Sequence, residues 1–132
     1  MTESGTMNPE EGRQPGTAAD PLNPALPPRE VVRVVTPGKP KFQLRPDERG
    51  ISVFDPQAVS PPLREAEILG AFRLGSQTVR RSRAEIEAKG LRVVPIPGDP
   101  TLPVRLQEAH AEILAGAGMT RTQFKNALKG LE

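Results

Sequence analysis

The chain has 132 residues, 18 Lys and Arg against 16 Asp and Glu, a formal charge of +2, and no Cys, Trp or Tyr. That length supports one domain, and the missing cysteines exclude disulfides, thiolate metal sites and cysteine nucleophiles. Four Phe are the only aromatic residues, too few for the stacking platforms of single-stranded nucleic-acid binders, so nucleic acid is not an expected partner.

Residues 1–29 carry six of the 16 prolines with Gly, Thr, Asn and Glu, and scarcely a bulky apolar side chain before Leu22. Such a span buries too little surface to offset its ordering entropy and reads as a disordered tail, leaving residues 30–132 as the single domain. Its start is acidic and polar where a Sec-type signal has a basic start and an apolar run, so Sec-type export is not expected. No stretch approaches the roughly 20 apolar residues of a membrane span. The expected setting is the cytoplasm, with no membrane contact.

The run EVVRVV at Glu30–Val35 is β-branched and flanked by prolines, which predicts the first strand. Arg33 interrupts it. Burying a lone guanidinium is costly, so Arg33 is either an edge residue reaching water or a charge aimed at an anionic partner. TPGKPK is a turn, Phe42 to Leu44 a short extended piece, and RPDERG a second turn in which Gly50 is expected to supply a positive φ. Ile51 to Phe54 alternates as a strand, closed by Asp55 and Pro56; Ser52, between apolar neighbours, either bonds to backbone or faces a ligand. Apolar residues recurring every third position from Leu63 to Phe72 predict a helix over 62–72, with Gly70 weakening its last turn.

Residues 76–80 fit a strand or a loop. Ser82 and Glu85 form an S-x-x-E box, Gly90 is a stop signal, and the helix between them is followed by a strand, LRVVPI, at Leu91 to Ile96. Pro97 to Pro103 is a loop, and Val104 to Glu108 a single helical turn. At the end, Thr120 and Gln123 form a T-x-x-Q box, and Phe124, Ala127, Leu128 and Leu131 make the apolar stripe of a terminal helix.

Between these lies RLQEAHAEI, with the only histidine of the chain, His110, and Gln107, Glu108 and Glu112 around it. Histidine is the one side chain whose ordinary pKa lies near neutrality, which makes His110 the natural proton-sharing group. From Ala109 to Leu114 the pattern reads as a short strand before the AGAG turn. His110 and Glu112 then share one face, and Ala109, Ala111 and Ile113 the other. Both a strand lining a cleft and an edge strand with one wet face fit that pattern.

Three segments in order, VVRVV, GISVFD and RLQEAHAEI before a terminal helix, resemble the small type VI secretion effector toxins whose fold is similar to ADP-ribosyltransferases. The likeness covers about residues 31 to 131. It implies an α+β fold with a half-open, mixed, mostly antiparallel β-sheet core, a few short helices and a C-terminal helix. It also implies use of NAD as substrate, toxicity inside a recipient cytoplasm after secretion, and a neutralising immunity protein in the producer. By motif position Arg33 would face the phosphates, Ser52 the nicotinamide ribose, and Gln107 with His110 the polar side of the cleft. The resemblance supplies no acid. Glu112 is the available carboxylate by spacing, with Glu108 in reserve, for the oxocarbenium character that develops at the ribose.

Two departures stand out. Ile51 occupies a position where the family often has Thr, and the Tyr of many transferase sites has no counterpart, so stacking on nicotinamide falls to Phe54 or Phe42. Those departures keep open a non-catalytic binding or accessory module of the same fold. An RNA-cleaving toxin with His110 as general base and the cluster around Arg80, Arg81 and Arg83 on phosphates is a third reading.

Overall fold

A computed structural model describes residues 29–132; the expected tail lies outside the described residues apart from its last, Arg29. The described chain is an α+β unit built on five strands: β1 (Glu30–Val35), β2 (Gly50–Phe54), β3 (Gln77–Ser82), β4 (Arg92–Pro95) and β5 (His110–Leu114). Their order in the sheet is β3-β1-β2-β5-β4, and every pairing is antiparallel. The expected mixed sheet is therefore corrected to an antiparallel one. The β2–β3 and β3–β4 connections pass over intervening strands, but no two parallel strands become neighbours. The open choice at residues 76–80 resolves as a strand, β3, which pairs along the whole of β1.

Alternation along the strands makes two apolar faces. Val31, Ile51, Val53, Val93, Ala111 and Ile113 point to one side, where Ile86 of α2 (Arg83–Ala88) and Phe124 and Leu128 of α4 (Arg121–Lys129) cover them. Phe42 and Leu44, from the β1–β2 connection, insert into the same core. On the other side Val32 and Phe54 pack against Ile68 of α1 (Glu65–Leu69) and Leu106 of α3 (Val104–Ala109). Removing these side chains from water is the main stabilising contribution, about 1.5–3 kcal/mol for each large one.

The helix ends follow the capping residues read from the sequence. Thr120 and Gln123 form a complete capping box on α4. Ser82 accepts from the Glu85 amide to start α2, and Gly90, at φ 82°, ends it. The first helix differs. It was expected over 62–72, but only Glu65–Leu69 is helical. Leu63 is drawn into the core with its amide donating to Pro56 O, and Arg64 stays extended, so the helix cannot begin earlier. Gly70 caps it, and the chain goes on to Phe72 in tight turns.

Two further expectations change. Gly50 is not among the positive-φ glycines, and its role is close approach to β5. Ala109 ends α3 and packs with Leu106, not with Ala111 and Ile113. Arg29 joins the fold: its guanidinium meets the buried Asp55 carboxylate at 2.5 Å, and its carbonyl accepts from the Arg83 amide at 2.9 Å. Among the described residues no helix is long and apolar enough to cross a membrane.

Candidate functional site

The strand register brings the polar residues together. Ser52 is paired with Glu112 across β2 and β5, and Phe54 with His110. Directly opposed residues share a face, so these four side chains project on the α1–α3 side of the sheet. There they line a cleft of about 370 Å³ with Arg33, Val34, Phe72, Pro97, Asp99 and Leu102.

His110 is held at both ring nitrogens. Nδ1 lies 2.8 Å from Ile96 O, and Nε2 lies 3.1 Å from Ser52 Oγ. A carbonyl oxygen can only accept, so Nδ1 carries the proton of the neutral ring and Nε2 offers its lone pair to the Ser52 hydroxyl. The imidazole is thus set as an acceptor facing an exposed serine, with the ring itself buried. Gly98 packs against its base: a methyl at that glycine would sit 3.1 Å from His110 Cβ and 3.3 Å from Cγ, so the loop after β4 can approach the histidine closely only without a side chain there. Phe54 meets the imidazole edge-on at 5.6 Å between centroids, and Phe72 meets Phe54 at 6.0 Å.

Arg33 reaches the cleft by another route. By alternation its backbone position belongs with Val31 and Val35, yet Nη1 donates to Ser52 O at 2.9 Å and Nε to Lys41 O at 3.1 Å. Beside it β1 and β2 share a single register pair, Val32 with Phe54, so the guanidinium bridges strands that have parted. Burial pulls its pKa down, partly countered by Glu48 and reinforced by Arg45; arginine stays cationic all the same. Among the described residues it has no carboxylate partner, and Nη2 has no hydrogen-bond acceptor.

Glu112 owes its position to a missing side chain. Its Oε1 lies 2.8 Å from where a Cβ on Gly50 would be, so the carboxylate rests over β2 in space that any other residue would fill. Asp99, at the rim, is tied to its own loop: Oδ1 accepts from the Thr101 amide and hydroxyl, and those two bonds hold its pKa below the usual carboxylate range.

Of the residues singled out from sequence, Arg33, Ser52, Phe54, His110 and Glu112 meet in this cleft. Gln107 does not line it. Its Nε2 donates to Leu102 O at 2.6 Å and Pro100 O at 3.2 Å, which fixes the 97–103 loop whose Pro97, Asp99 and Leu102 form one wall. Glu108 borders a separate hollow on the far side of His110. Phe42 lies in the opposite core with the Arg81 guanidinium 5.3 Å above its ring, out of reach of the cleft. Phe72 and Asp99 were not singled out. Phe72 sat at the last apolar position of an expected helix and read as core, and nothing in DPT at 99–101 signals that its loop folds over the histidine.

Chemically the cleft joins a cation, a hydroxyl hydrogen-bonded to an imidazole, a carboxylate and an aromatic wall. Such a set suits a ligand with an anionic group at one end and hydroxyls or a flat ring at the other. Among the described residues no three His, Asp or Glu side chains group as metal ligands do. No family model matches this chain, and no curated protein or solved structure is detectably similar to it.

Proposed function

We propose that this chain is an intracellularly acting effector toxin with an ADP-ribosyltransferase-like fold that consumes NAD, and that a cognate immunity protein neutralises it in the producing cell. One observation carries the reading: Arg33 of β1, Ser52 of β2, and His110 and Glu112 of β5 line a single cleft where the sheet parts between β1 and β2. The cleft fits the nicotinamide riboside end of the dinucleotide in kind. Arg33 is the only cation among the described residues that line the cleft and supplies charge-assisted bonds to the diphosphate. Ser52 and His110 hold ribose hydroxyls, and Phe54 and Phe72 offer the apolar wall for the pyridinium ring.

In the reaction the ribose C1′–N bond breaks, its electron pair stays on the pyridinium nitrogen, and neutral nicotinamide leaves. Glu112 stabilises the oxocarbenium character left on the sugar and takes the proton of the water or acceptor hydroxyl that adds to C1′. A non-catalytic module of the same fold is favoured by one observation: two of the Arg33 donors are already spent on backbone carbonyls, as in a structural strut.

Inducible cytoplasmic expression separates the two. Wild type is expected to arrest growth and drain cellular NAD, and Glu112→Gln and Ser52→Ala to do neither while melting near the wild-type temperature. Unchanged NAD in wild-type cultures, or full NAD loss with Glu112→Gln, defeats the proposal.

A further inference from the structure

A second and larger recess lies on the other side of the sheet, between the β1–β2 connection and α4, with a volume of about 830 Å³. Four cations ring it: Lys39 and Arg45 from the connection, and Lys125 and Lys129 one turn apart on α4. All four are exposed, and among the described residues none has a carboxylate within ion-pair range. The floor is apolar, made by Phe42 and Leu44. In a chain of net charge +2 this is a concentrated positive patch over a greasy base, and nothing in the NAD reading uses it.

The recess already holds one carboxylate. The Glu132 side chain, the only acidic group among the described residues lining it, accepts from the Lys41 amide at 2.9 Å and the Phe42 amide at 2.7 Å. Two successive backbone N–H groups aimed at one carboxylate, with ammonium groups around them, form a built carboxylate receptor. The concave shape argues against a flat lipid surface, and Phe42 is the one aromatic residue among its described lining residues, too few for a platform on which successive bases stack.

We propose that this recess docks an acidic segment of a partner protein, with glutamate or aspartate side chains on the four cations and an apolar side chain on the Phe42–Leu44 floor. The opposed position means that docking leaves the Ser52–His110 cleft open, so the surface and the cleft can be occupied together. The attraction is mainly between exposed charges. It speeds association, weakens with salt, and gives each pair a few-fold in affinity, with reversal of a charge adding repulsion.

The probe is a fluorescein-labelled peptide of glutamates with two interior leucines, titrated with the full chain by fluorescence anisotropy at low and physiological salt. Saturable binding is expected, weakened at least about tenfold by Lys125→Glu with Lys129→Glu. Arg64→Glu with Arg73→Glu changes net charge equally away from the recess and is expected to cost less than about threefold. If the α4 double variant fails to melt cooperatively, Lys39→Glu reads the same surface from the loop. Absence of binding, an equal loss in both double variants, or a single-stranded oligonucleotide of matched charge binding the recess more tightly would overturn the proposal.

Discussion

Replacing Gly50 with alanine tests the packing that sets the Glu112 carboxylate in place. The added methyl would lie 2.5 Å from Leu114 Cδ2, 2.8 Å from Glu112 Oε1 and 2.9 Å from Ile113 O. The first two atoms end flexible side chains and can swing aside. The third is backbone of the paired strand, so β2 and β5 must separate at the Gly50–Leu114 end of their ladder. Overpacking of this kind costs about 1–3 kcal/mol, and for a unit of this size each kcal/mol lowers the melting temperature by roughly 4–8 °C. A drop of about 5–20 °C by differential scanning calorimetry is therefore expected.

Gly38→Ala is the matched control. That glycine has φ +83° but nothing within 4 Å, so only left-handed backbone strain of about 1–2 kcal/mol applies. On the proposed NAD-consuming activity, Gly50→Ala well below its melting point should also drain NAD more slowly than wild type, because the Glu112 carboxylate has lost its place. A Gly50→Ala protein melting within about 2 °C of wild type would refute the close-approach reasoning outright.

The histidine tautomer can be read directly: long-range ¹H–¹⁵N correlation at neutral pH should find the proton of the neutral ring on His110 Nδ1, and a proton on Nε2 would reverse the assigned polarity of the Ser52 contact. Burial alone would raise the Glu132 carboxyl, but the Lys41 and Phe42 amides, helped by the Lys41 and Arg81 charges, hold it below the ordinary value of 4.5. A depressed folded-state pKa gives stability that is full above 4.5 and is lost as pH falls through the lower folded value. Urea titrations should thus show Glu132→Gln losing stability at pH 7 and converging on wild type in acid; a constant difference would contradict this. Asp55→Ala removes a buried acceptor shared by Arg29, Arg83 and the Gln57 amide, and should cost about 2–4 kcal/mol in urea. Arg29→Ala, at a half-exposed position, should cost under about 1 kcal/mol, and the opposite order would place the stabilisation elsewhere.

Elements whose limits are set by local chemistry were legible in the residues. The capping box at Thr120, the Ser82 cap with its Gly90 stop, the β-branched run around Arg33 and the alternation from His110 to Glu112 each stand where their side chains require. What was not legible depends on distant partners. The helix over 62–72 shrank because Leu63 answers to the core and not to its own periodicity. Gln107 looked like a cleft residue by its nearness to His110, but a helix ends between them at Ala109 and turns its amide to the 97–103 loop. Gly50 was read as a turn residue, since the steric demand of β5 upon it is visible only once the strands are paired. Phe72 and Asp99 join the cleft through segments whose path no local pattern encodes.

The cleft itself has a cause in the β1–β2 connection. A two-residue turn would have zipped these strands along their length, but residues 36–49 intervene, and two of them, Phe42 and Leu44, are committed to the α2–α4 core. Their burial pulls the connection beneath the sheet and away from the line a hairpin would take. β1 meanwhile pairs with β3 from Glu30 to Val35, so it stays where β3 holds it, and β2 follows β5 in the same way. The two halves of the sheet consequently touch at Val32 and Phe54 and separate beyond them. A parted sheet leaves backbone groups without ladder partners. Arg33 meets that need at Ser52 O and Lys41 O, which explains why a guanidinium is tolerated in a valine-rich strand. The same placement sets a cation beside Ser52, His110 and Glu112. The residue that closes the gap structurally is therefore also the one that makes the gap attractive to an anion, and the two roles do not compete because among the described residues Nη2 has no acceptor once the backbone bonds are made.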